Sequence, residues 1–139
     1  MKRHAPPVRE YMTHLPVEAE RCETVADAVA IMESREIHHL PVMSGSHLKG
    51  IISQRDLIEA RSQLGDRFLE TPLEQICKSD VLTVSPVAPI DEVVRALLQR
   101  RVGSAVVVDS GFVVGIFTTT DALRFVSDFF GQPRTRQGE

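Results

Sequence analysis

The sequence predicts a mixed α/β fold of the α+β type: two pseudo-symmetric β-α-β-β-α repeats whose small sheets pack face to face. Three observations carry that expectation. Residues 11–57 recur without a gap 65 positions later, so that Gly50-Ile51-Ile52-Ser53-Gln54-Arg55-Asp56 lies over Gly115-Ile116-Phe117-Thr118-Thr119-Thr120-Asp121. Each copy holds an apolar stripe at helical spacing, Val25, Ala28, Val29 and Met32 in one and Ile90, Val93, Val94 and Leu97 in the other. Each stripe is followed by two short apolar runs separated by turn residues, the pattern of a hairpin.

The elements follow in chain order. A weak strand signal over 16–19 has a clearer counterpart in Val81-Leu82-Thr83-Val84. Thr24 and Asp27 form a capping box that starts the first helix. Strands are expected over 40–43 and 105–108, turns at Ser44-Gly45-Ser46 and Asp109-Ser110-Gly111, and return strands over 48–53 and 113–118. The unbroken apolar run 105–108 indicates a strand buried on both faces. A second helix starts just after Ser53 and just after Thr118. Its stripe is Leu57, Ala60, Arg61 and Leu64 in copy one and the richer Ala122, Phe125, Val126 and Phe129 in copy two, widened by Leu123 and Phe130. The division expected is repeat one over 8–61, a connector over 62–72, repeat two over 73–130 and a polar, disordered tail over 131–139.

Composition narrows the function. A chain of 139 residues with 42% hydrophobic content sustains one compact body or two intimate halves. A net charge of −3 argues against a nucleic-acid partner, since phosphate-backbone binding relies on clustered Lys and Arg. No apolar run approaches the roughly 20 residues that span a bilayer, and the first residues lack the apolar stretch of a signal peptide; a cytoplasmic protein with no membrane contact is expected. Cys22 and Cys77 are not repeat equivalents and lack metal-ligand spacing, so two reduced thiols are expected.

The recurring Ser/Thr-x-x-Asp carries the chemistry. A strand that ends in a hydroxyl and turns into a helix sets that hydroxyl beside unpaired backbone N–H groups, where an anion is stabilised; Ser53 and Thr118 suit a phosphate. A carboxylate three residues on repels phosphate, and its natural partner is a ribose diol, which makes Asp56 and Asp121 the ribose candidates. Arg55 and Thr120 precede them and also face a ligand, with Arg55 able to pair with phosphate. The same four residues read equally as capping boxes with no ligand, and the two roles are compatible. Adjacent His38 and His39 point to opposite sides of a strand, and His4, His14 and His47 have no chelating spacing to them, so no metal site is expected. No nucleophile sits beside a base, which argues against an enzyme. Arg35, Arg100 and Arg101 match the helix C-terminal dipole, and an arginine there also reaches a ligand phosphate.

The order helix, strand, turn, strand, helix, with His39-Leu40-Pro41-Val42 and the twice-used Gly-Ile-hydrophobic-Ser/Thr-x-x-Asp, resembles the cystathionine β-synthase (CBS) domain. Two in tandem resemble a Bateman module in a small stand-alone bacterial protein. The resemblance implies a regulatory module that senses adenosine-containing metabolites, AMP, ADP, ATP or S-adenosylmethionine, without a required cofactor. It adds Thr83, Val84, Ile37, His39, Pro41, Val102 and Ser104 as walls of the adenine site. Copy two departs from copy one at Gly103-Ser104 and Ala105-Val106, so the two clefts should differ. The aromatic face of Phe125, Phe129 and Phe130 predicts a homodimer through the second helices, unless it completes the internal core. A protein target downstream is expected, and the competing reading is a ligand-free interaction scaffold.

Overall fold

The computed structural model describes residues 5–15, 17–21 and 23–131. Pro16, Cys22, the first four residues and residues 132–139 lie outside the described residues, and so do the readings that fell on them; of the tail expected over 131–139, Gly131 is described and is the last residue of the final helix.

The order is β1 (Thr13–His14), β2 (Ala19–Glu20), α1 (Val25–Arg35), β3 (His39–Ser44), β4 (His47–Ser53), α2 (Gln54–Leu64), β5 (Leu82–Val84), α3 (Ile90–Arg100), β6 (Ser104–Asp109), β7 (Phe112–Thr118) and α4 (Thr119–Gly131). One sheet has the strand order β2-β3-β4 and the other β1-β7-β6-β5. The α+β expectation holds. The weak strand signal of copy one resolves to β2, which pairs parallel with β3 through Ala19 and Val42; 65 residues on, Val84 pairs with Val107. The symmetry extends to backbone conformation, because Glu36 and Arg101 end α1 and α3 in the left-handed region at φ 55° and 57°.

Three apolar layers separate the elements. Val25, Ala28, Met32, Leu40, Val42, Ile52, Leu57 and Ala60 form the core of one half. Ile90, Val93, Leu97, Ala105, Val107 and Phe117 form that of the other. Leu15, Met43, Ile51, Val106, Val113 and Ile116, drawn from both sheets, make the layer between them. Side chains on a strand alternate, so Ile51 and Ile116 face the partner sheet while Ile52 and Phe117 face the helices. The residues between α2 and β5 are not a bare connector. They form 3-10 turns over Gly65–Glu70 and Leu73–Gln75 and bury Phe68, Thr71 and Leu73 against the first core.

The sequence did not reveal that each half takes its leading segment from the other repeat. Val8, at the start of copy one, is buried in the core of copy two, and Leu73, its equivalent, is buried in the core of copy one. Thr13 pairs with Ile116 on β7, and Lys78 pairs with Ile51 on β4 through hydrogen bonds of 3.0 and 2.9 Å. Both crossing segments pass directly over a glycine. A Cβ on Gly50 would collide with the Lys78 carbonyl, and one on Gly115 would come within 2.8 Å of the Thr13 carbonyl. That close approach is the physical reason for glycine at this motif position.

Candidate functional site

A cleft of about 480 Å³ opens where the N-termini of α2 and α4 meet the loop between α3 and β6 and the segment that leads into β5. Eight of the expected residues line it: Ser53, Arg55, Asp56, His39, Val102, Ser104, Thr118 and Thr120. Five do not. Ile37 and Val84 pack against the helix-sheet cores, Pro41 is buried within β3, and Thr83 is exposed on β5, an edge strand. The fifth, Asp121, lies behind the cleft wall with 2% of its surface exposed.

Both Ser/Thr-x-x-Asp elements are closed capping boxes. Ser53 N–H donates to Asp56 Oδ2 at 2.8 Å while Asp56 N–H donates to Ser53 Oγ at 3.1 Å. Thr118 N–H donates to Asp121 Oδ2 at 2.9 Å, and Asp121 N–H returns a 3.3 Å bond to Thr118 Oγ1. A third box, Thr24 with Asp27, starts α1 as the sequence indicated. The helix ends are further satisfied by their neighbours: Gln54 N–H donates to the His38 carbonyl and Thr119 N–H to the Gly103 carbonyl. Capping thus consumes most of the first-turn donors that the sequence reading had left for an anion, and in each Asp the Oδ1 takes no part in the box.

Those second oxygens differ. Asp56 Oδ1 meets Lys78 Nζ at 3.2 Å. Asp121 Oδ1 accepts from Thr13 Oγ1 at 3.2 Å and from Arg124 Nη2 at 2.6 Å. Around the cleft stand Arg55, Lys78 and Arg101, with Asp56 and Asp80 as the carboxylates. Asp80 is paired with Arg100, while Arg55 and Arg101 form no ion pair among the described residues. Burial lowers the pKa of His39 below the ordinary imidazole value; the charge of His38 adds to this, and Asp56 and Asp121 oppose it. His38 itself contacts Gln54 Oε1 through Nδ1 at 3.1 Å.

Sequence reasoning missed Lys78, Asp80 and Val81, which line the cleft from the segment before β5. A signal existed. Lys78 is the repeat equivalent of Thr13, so the substitution of a cation in one copy for a hydroxyl in the other was visible at the 65-residue offset, though not that these segments cross between the halves.

A two-repeat module with helix N-termini converging on a shared inter-repeat cleft is a binding and regulatory architecture. The chain belongs to the CBS-domain family, whose profile matches residues 8–63 and again 73–128. It is a CBS-domain pair. The CBS-domain pair of protein MJ0100, solved with 5′-methylthioadenosine and S-adenosyl-L-methionine, is 26% identical, with a TM-score of 0.77 over 90% of this chain and 98% of that one. A Vibrio cholerae chain with the provisional name acetoin utilization protein (AcuB) is 30% identical, with a TM-score of 0.74 over 96% and 98%. The CBS domain of a bacterial CNNM/CorC family Mg²⁺ transporter, solved with ATP, is 25% identical, with a TM-score of 0.71 over 87% of each chain. The chain spans 42% and 14% of the length of the first curated relatives it matches. Among the described residues no helix is long and apolar enough to cross a membrane.

Proposed function

We propose that this chain is a cytoplasmic, non-enzymatic regulatory module that binds an adenosine-containing metabolite, AMP, ADP, ATP or S-adenosylmethionine, in the cleft between its repeats. The observation that carries the reading is Asp56. Its carboxylate is 8% exposed and oriented by the Ser53 amide, and its Oδ1 is held, among the described residues, only by a lysine at the cleft. A ribose diol is the ligand group that such a fixed acceptor suits. Two relatives of similar fold that were solved with adenosyl ligands support the same class. In this reading α4 pairs two copies through Leu123, Val126, Phe129 and Phe130, all exposed, and the dimer passes occupancy to a protein target.

A thermal-shift series with AMP, ADP, ATP and S-adenosylmethionine tests the proposal. A ligand at a hundred times its dissociation constant adds about 2.7 kcal/mol, which raises the midpoint of a chain this size by roughly 10 °C. Asp56→Ala should weaken the responding ligand by about 1 to 3 kcal/mol, the consequence of an unpaired ribose hydroxyl. If no compound shifts the midpoint of protein shown by mass spectrometry to be ligand-free, the scaffold reading replaces this one.

A further inference from the structure

We infer that the cleft takes one ligand per chain, on the Asp56 side, and that Lys78 makes it selective for phosphorylated adenosines over sulfonium-bearing ones; this rests on the adenosine reading above. The two motif carboxylates are repeat equivalents in unequal surroundings. Asp121 receives four hydrogen bonds from Thr13 Oγ1, Thr118 N and Oγ1, and Arg124 Nη2, and it does not line the cleft. Its acceptor capacity is used up inside the fold. Asp56 has no such lock, because Glu59 stands at the repeat equivalent of Arg124 and Lys78 at that of Thr13. What covers Asp56 Oδ1 is one ammonium on a flexible stem whose side chain is 66% exposed. A ribose diol displaces that single contact more readily than it displaces a guanidinium and a hydroxyl that together hold a carboxylate shut away from the cleft.

Displacement has an electrostatic consequence. Once ribose occupies Asp56, Lys78 loses its counterion beside Arg55 and Arg101, neither of which has an ion-pair partner among the described residues, while Asp80 stays with Arg100. Three cations then face one ligand. A phosphate restores the balance and regains a charge-assisted hydrogen bond from Lys78, whereas a sulfonium adds a fourth positive charge. Lys78 therefore acts as a specificity residue, a counterion for the protein when the site is empty and for the ligand when it is filled.

Titration calorimetry of the whole chain with adenosine, ADP and S-adenosylmethionine tests this, beside the variant Lys78→Thr, which installs the residue of the other repeat. Unaltered protein should bind one ADP per chain, at least roughly tenfold tighter than adenosine, with S-adenosylmethionine weaker than adenosine. Lys78→Thr should cut ADP affinity by roughly tenfold and leave adenosine equal or tighter, since Asp56 no longer carries a competing ion pair. A merely structural lysine would weaken both alike, and that result overturns the assignment. So do two equal ADP sites per chain, or S-adenosylmethionine binding as tightly as ADP; both come from unaltered protein and stand whether or not the variant folds. Silence from all three compounds sinks the adenosine reading itself, and this inference with it.

Discussion

Replacing Gly50 by alanine should weaken the fold at the crossing of the two repeats. A Cβ built there meets the Lys78 carbonyl oxygen and lies 2.9 Å from its carbon and 3.0 Å from Cys77 Sγ. Two of those three atoms are backbone, so no side-chain rotation relieves the clash; the segment must lift. Lifting strains or breaks the two hydrogen bonds between Ile51 and Lys78, worth about 1 kcal/mol each, and adds overpacking of about 1 to 3 kcal/mol. The expected loss is about 3 kcal/mol, a fall of roughly 10 °C in the melting midpoint of a chain this size. Differential scanning calorimetry measures it directly. Hydrogen exchange should show the Ile51 and Lys78 amides losing protection first. Gly103→Ala is the control: nothing lies within 4 Å of its Cβ, and its φ is not positive, so its midpoint should hold or rise slightly. A Gly50→Ala protein that melts with the unaltered chain would refute the reasoning, because the crossing segment would then have room to spare.

Two further predictions come from His39 and α4. Burial depresses the pKa of His39 in the folded state, so the unfolded chain binds the proton first as pH falls through about 6.5; stability should be full above that pH and decline below it, and His39→Gln should flatten the decline in melts taken across pH 5 to 8. Phe130 and Leu123 on α4 are 77% and 69% exposed, so light scattering after size exclusion should report twice the monomer mass at micromolar concentration. Phe130→Ser should return a monomer with an unchanged fold, and a monomeric unaltered protein would end the dimer proposal.

Much of the architecture was legible because each signal is local. The stripe of α3 and the hairpin of β6 and β7 follow from period and turn chemistry alone, and the capping boxes at Ser53 and Thr118 follow from the motif. The exchange of leading segments was not legible. A repeat shows that Val8 and Leu73 are equivalent but not which sheet each will cover, since that choice is fixed by contacts remote in sequence. Four of the expected wall residues, Ile37, Pro41, Thr83 and Val84, also lie off the cleft. Ile37 and Val84 carry the apolar character an adenine wall needs, and the helix-sheet cores claim that character first, while Pro41 is buried within β3. Phe125 shows the opposite compromise: it stacks edge-on with Tyr11 at 5.3 Å, tying the leading segment to α4, while the next turn of the same stripe faces outward.

The crossing segments explain why a capping carboxylate sits at the joint between repeats. Asp121 caps α4 and holds the side chain of Thr13, whose backbone lies on β7; Asp56 caps α2 and holds Lys78, whose backbone lies on β4. Each carboxylate therefore ties a helix start to the segment that the other repeat contributes. At Asp121 the tie is reinforced by Arg124 and shut away from the cleft; at Asp56 it is one exposed ion pair that opens onto it. Regulation requires that a ligand bind two conformations with different affinity. On the proposed reading, a ligand that takes Asp56 would release Lys78 and loosen one joint while leaving the Asp121 joint in place. The unequal ties at Asp56 and Asp121 are where such a difference would arise on that reading.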